Sequence, residues 1–126
     1  MPELSNRLDI GKKGEELVVQ WLKKNGYKIV AQNYRSCRGE IDIIAQKNEI
    51  CTFIEVKRRK SSYFALSEVI TKSKQQKITF TAQKFMSERP IHSYAYRFDV
   101  ALVEGLEGSE TITYIEQAFR DERFSY

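Results

Sequence analysis

The chain has 126 residues, of which 41% are hydrophobic and 30% charged, and 21 Lys and Arg against 17 Asp and Glu leave a formal net charge of +4. That length suits one domain, residues 1–126, with a single real core, and seven Tyr and seven Phe argue against a disordered chain. Two cysteines, Cys37 and Cys51, without Cys-x-x-Cys spacing, and one histidine, His92, weigh against a structural zinc site. No run approaches the ~20 apolar residues of a membrane span, and the first residues lack the apolar stretch of a signal peptide. The expectation is a cytoplasmic domain with reduced thiols, although a Cys37–Cys51 disulfide stays open, and with no membrane partner.

Residues 6–25 read as a first helix with an apolar stripe of Gly14, Leu17, Val18, Trp21 and Leu22, stopped by Asn25-Gly26. Gly11 and Gly14 cost about 1 kcal/mol each against alanine inside a helix, which suggests close approach to another backbone. Residues 27–33 read as a strand and 34–38 as a basic turn. Residues 39–45 and 51–59 are rich in β-branched and aromatic types and read as two more strands. Residues 67–88 have helical spacing at Ile70, Ile78, Ala82 and Phe85, with Lys74 on the same stripe and Pro90 after the end. Residues 94–104 alternate, with Tyr94, Tyr96, Phe98, Val100 and Leu102 on one side and Ala95, Arg97, Asp99, Ala101 and Val103 on the other. A glycine-rich turn at 105–109 precedes a last strand at 111–115 and a polar tail. The order predicts an α/β fold: a central mixed sheet of about five strands flanked by helices. The long helix between the third and fourth strands has the length of a parallel crossover.

The chemistry concentrates on the hairpin. Glu55 and Lys57, two apart, share a face of their strand, and an acid beside an amine on an apolar strand is costly unless paired or functional. With Lys47-Asn48 as a two-residue turn, Asp42 falls opposite Phe53 on the face of Glu55. The two carboxylates are then diagonal neighbours, roughly 7–8 Å apart at the backbone and able to converge on one cation. Glu40 falls opposite Glu55 in that register, and a slip of one residue would send Asp42 to the other face. Lys57-Arg58-Arg59-Lys60 follows directly, with Lys72, Lys74 and Lys77 downstream. This cluster beside an acidic pair favours a polyanionic partner more than the net charge does.

Asp42 followed by Glu55-x-Lys57 on the next strand resembles the PD-(D/E)xK nuclease superfamily. Gly11-x-x-Gly14-Glu15, Asn33-Tyr34-Arg35, Gly39-Glu40-Ile41-Asp42, Ile54-Glu55-Val56-Lys57-Arg58-Arg59, Lys74-Gln75 and Arg97-Phe98-Asp99-Val100 together resemble the YraN-like family of small bacterial proteins. That family is regarded as related to archaeal Holliday junction resolvases, and the resemblance covers roughly residues 8–103. It implies a restriction-endonuclease-like fold. It also implies Mg²⁺ or Mn²⁺ held by Asp42, Glu55 and the carbonyl of Val56, with Lys57 positioning or deprotonating a water. In the related resolvases a glutamate of the first helix reaches the metal, which makes Glu15 a fourth catalytic candidate. One departure is visible near Ala65, where relatives often carry glycine.

Other roles stay open on the residues alone. Glu15 leans toward the buried side of its helix and could equally pair with an arginine. Lys74 faces inward and could meet phosphate, or pack its stem and send its amine to water. Arg35, Arg38, Arg58 and Arg59 are candidate phosphate contacts, whereas Arg97 and Asp99 read as a structural ion pair. The function expected is metal-dependent endonucleolytic cleavage of structured or branched DNA, in preference to RNA, by a homodimer that cuts two strands symmetrically. The alternatives are a nucleic-acid-binding module of nuclease fold without cleavage, and an assembly factor with no nucleic-acid role.

Overall fold

The structure is a computed structural model that describes residues 2–59, 66–89 and 95–120. Helix α1 (Pro2–Lys24) is followed by strands β1 (Lys28–Arg35), β2 (Glu40–Lys47) and β3 (Ile50–Arg59). A short helix α2 (Leu66–Val69) and a longer α3 (Lys72–Glu88) lead to β4 (Ala95–Glu104) and β5 (Thr111–Phe119). One sheet runs β1-β2-β3-β4-β5, antiparallel throughout except for the parallel β3–β4 pair. This is the expected α/β architecture, with the expected crossover, and it is consistent with a restriction-endonuclease-like fold. No described helix is long and apolar enough to cross a membrane.

Two apolar layers hold the helices to the sheet. On one face Val18, Val19 and Leu22 of α1 pack with Ile43, Ala45, Ile54, Ala101 and Val103. On the other, Ile78, Ala82 and Phe85 of α3 pack with Ile44, Phe53, Phe98, Val100 and Leu102. The alternation across 95–103 therefore divides between the two cores as expected, because β4 is a central strand with both faces covered. Helix α1 ends where Asn25-Gly26 predicts. Gly26 takes φ +87°, and the Tyr27 N–H donates to the Leu22 carbonyl at 2.9 Å, a Schellman-type stop.

Several expectations need correction. The 67–88 helix is two helices, since Thr71 is extended and its side chain accepts from the Lys74 N–H, capping α3. Strand β1 continues through Tyr34 and Arg35, and β5 runs to Phe119, each past a register irregularity. The neighbour of Gly14 is the aliphatic stem of Arg58, 3.5 Å from where a Cβ would stand, and not a backbone. The two cysteines are free, Cys37 exposed and Cys51 buried. The departure near Ala65, His92, Pro90 and Tyr94 lie outside the described residues.

The hairpin register also moves. Lys47 pairs with Ile50 and Ile43 with Ile54, so the turn is Asn48-Glu49 and not Lys47-Asn48. Both turn residues have positive φ, 49° and 68°, as a type I′ hairpin requires. The partner strand shifts by two, an even step that leaves Asp42 on the face of Glu55. One position beyond the last pair, Asp42 stands level with Glu55, and Glu40 lies farther out. Because Glu49 holds a conformation that suits glycine, Glu49→Gly should stabilise the fold by about 0.5–1 kcal/mol. Urea unfolding measures it, and a loss of stability would contradict the assigned turn.

Candidate functional site

The β2–β3 ladder stops at Ile43 and Ile54, and the carboxylate of Asp42 occupies the parting. Its Oδ2 accepts the Val56 backbone N–H at 2.8 Å, so a side chain replaces the next ladder bond. The loop before β2 is pinned to α3: Ser36 and Thr81 hydroxyls meet at 2.7 Å, and Ser36 Oγ accepts the Gly39 N–H at 3.2 Å. A Cβ on Gly39 would come within 3.2 Å of Lys77 Cβ, so glycine lets the start of β2 lie against α3. The capped end of α3 thereby faces the parting. A cavity of about 410 Å³ opens there, lined by Gly39, Glu40, Asp42, Glu55, Thr71, Ser73, Lys74, Lys77 and Ile78.

Four carboxylates gather at this end of the sheet, and their partners differ in charge and number. Glu55 accepts the Lys74 amine at 2.8 Å, which settles the direction of that inward-facing lysine. Glu40 lies 3.5 Å from Arg35 Nε. Glu15 reaches the cluster from α1, with burial, Glu40 and Glu55 raising its pKa and a hydrogen bond from Asn33 lowering it. Asn33 appears in the sequence reading only within the Asn33-Tyr34-Arg35 motif, with no role of its own. With its amide nitrogen turned to the acids it donates to Glu15 Oε2 at 3.2 Å and Glu40 Oε1 at 2.9 Å.

Asp42 carries the electrostatic strain. Burial first, and then the neighbouring Glu55, push its carboxyl up to about 7; the Val56 N–H pulls the other way, and Glu15 and Glu40 add to the rise. Among the described residues no three acidic, His or Cys side chains form a ready metal cage. A smaller donor set still fits a hard cation that keeps several waters, which one or two carboxylates suffice to hold. The amine on Glu55 shows that this end of the sheet already accommodates one positive charge.

The basic candidates separate. Lys74 lines the cavity, and Lys57 stands half-buried two residues beyond Glu55 on β3, with no ion pair among the described residues. Arg38 is exposed and lies over the Phe80 ring, 4.7 Å from its centroid. Arg59 is 4.0 Å from Glu68. Arg58 turns to the α1 face and pairs with Glu110 at 2.8 Å, both side chains nearly buried, so that face has a structural use for it. Arg97 and Asp99 form the expected structural pair at 2.9 Å, closed by the Tyr114 hydroxyl and the Gln117 N–H on Asp99.

Fold and site together define a small α/β protein with an acid-lined cleft where a central hairpin parts, flanked by lysines. Residues 14–103 match the family described as "Uncharacterised protein family UPF0102", and the chain belongs to that family. A UPF0102 protein of Chloroherpeton thalassium is 39% identical over 126 residues, covering 93% of this chain and 98% of its own. One of Alkaliphilus metalliredigens is 42% identical over 112 residues (87% and 96%), and one of Clostridium perfringens 41% over 114 residues (88% and 93%).

The raised pKa of Asp42 makes a pH prediction. Its folded value lies above the ordinary 3.8, so its contribution to stability is full below about pH 4 and is lost as pH rises through about 7. With chelator present, the wild type should lose on the order of 1–2 kcal/mol relative to Asp42→Asn between pH 5 and 7.5. Urea unfolding at both pH values tests this, and parallel losses in the two proteins would contradict the assignment.

Proposed function

We propose that this protein is a metal-dependent endonuclease that hydrolyses phosphodiester bonds in structured or branched DNA. The observation that carries the proposal is the convergence of Asp42, Glu55 and Glu40 at an open cleft bordered by Lys74 and Lys77, with Glu15 close enough to raise the proton affinity of Asp42. Asp42 has only a backbone N–H against the repulsion of its acidic neighbours, and a hard divalent cation relieves that repulsion with the oxygen donors it prefers. Asp42 and Glu55 would hold Mg²⁺ or Mn²⁺, with the Val56 carbonyl as a further oxygen. When bound, such a cation offsets phosphate charge and acidifies a water.

The chain's own residues divide the remaining work. Asp42 is fixed by the Val56 N–H, so its free oxygen needs little reorganisation. Lys57 is placed by its strand on the face of Glu55, where it orients the attacking water or takes its proton. Lys74, released from Glu55 when that carboxylate has another cation, is free to meet a phosphate oxygen. Arg35, Arg38 and Lys77 lie at or near the rim, where they contact the DNA backbone without reading sequence. A homodimer would present two such sites to a branched substrate.

A second reading has its own observation. Glu55 is already neutralised by Lys74, as in a nuclease fold that holds nucleic acid without cutting it. A cleavage assay separates the two, using labelled duplex, single-stranded and four-way-junction DNA with Mn²⁺ or Mg²⁺. The nuclease reading predicts cleavage that falls about a hundredfold or more in Asp42→Asn, Glu55→Ala and Lys57→Ala, with salt-sensitive binding retained. Binding without cleavage on every substrate would favour the binding module.

A further inference from the structure

Asn33 occupies an improbable place for its backbone. It lies within β1, between Gln32, paired with Ile43, and Tyr34, paired with Ile41, yet its φ is +52°. An L residue in this left-handed region costs roughly 1–2 kcal/mol, least for asparagine and nothing comparable for glycine. The turn aims the amide off the strand toward Glu15, midway along α1. There one nitrogen serves two carboxylates from separate elements, Glu15 of α1 and Glu40 of β2. The other partner of Glu40 among the described residues, Arg35, is exposed and stands at 3.5 Å.

Two glutamates of like charge, each with several rotatable bonds, would otherwise swing apart into water. We propose that Asn33 is a positioning residue, whose amide holds the Glu15 and Glu40 carboxylates beside Asp42 and Glu55 and so sets how tightly the cluster takes a divalent cation. The inference rests on the cation site of the proposed function. Its logic is that of outer-shell groups at metal sites, which orient the donors and whose loss weakens metal binding by about 10–100-fold. A backbone role alone would be met better by glycine, so the side chain is there for the acids.

The strained backbone supplies a clean test. Mn²⁺ is titrated into the full-length wild type, Asn33→Gly and Asn33→Ala, following free Mn²⁺ by electron paramagnetic resonance, and unfolding is measured in parallel with chelator. Both substitutions should weaken Mn²⁺ binding by about tenfold or more, and equally, because both remove the amide. Their stabilities should differ, with the glycine variant above the alanine variant. Wild-type affinity in Asn33→Gly overturns the positioning role and leaves the cation site standing. Weakening in Asn33→Ala alone assigns the effect to backbone strain and also overturns the role. Failure of the wild type to bind Mn²⁺ overturns the cation site, and the positioning role falls with it.

Discussion

Beyond Ile43 and Ile54 the central hairpin comes apart, and the polar end of the molecule is organised around that parting. A β-ladder that simply stopped between covered layers would leave backbone groups without partners. Here the Asp42 carboxylate enters the gap and takes the Val56 N–H, so a side chain completes what the ladder leaves undone. The same substitution fixes where Asp42 can be: level with Glu55, on the α3 face, at the floor of the cleft. The Ser36–Gly39 turn and the Thr71 cap of α3 complete the walls because both pack against this opening.

Bringing carboxylates to a half-buried end of a sheet has electrostatic consequences, and the surrounding residues distribute them. Glu55 is balanced by the Lys74 amine, Glu40 by Arg35, and Glu15 by the Asn33 amide. Asp42 has only a neutral N–H, and it is the acid whose proton affinity rises most clearly. The contrast with Asp99 is instructive. That carboxylate is more deeply buried but is enclosed by Arg97, Tyr114 and the Gln117 N–H, leaving no open side for a ligand. One acid is satisfied by protein alone, while the other keeps an open face, and this difference is the physical basis for placing chemistry at Asp42.

Much of this was legible from periodicity. The two-residue alternation through 95–103 sorted side chains correctly between two cores, and the helical spacing of Ile70, Lys74 and Ile78 put Lys74 on the inward face before any partner was known. Register was harder. Asn48 tolerates positive φ at either central turn position, and without a glycine to pin the type I′ turn, Asn48-Glu49 could not be told from Lys47-Asn48. The error was even, so the faces survived while every pairing in the hairpin shifted, bringing Asp42 and not Glu40 level with Glu55. The break at Thr71 was hidden because the apolar spacing runs straight across it. The bond from Asn33 to two acids depends on one dihedral angle and on the approach of α1 to β2, neither of which a linear pattern encodes.

The central claim is that the parting between Asp42 and Glu55 is a divalent-cation site, and crystals grown with Mn²⁺ test it most directly. An anomalous-scattering map should show a peak within bonding distance of both carboxylates, with the Lys74 amine moved off Glu55. A map with no peak there, and with the Lys74–Glu55 ion pair intact at saturating Mn²⁺, would contradict the account.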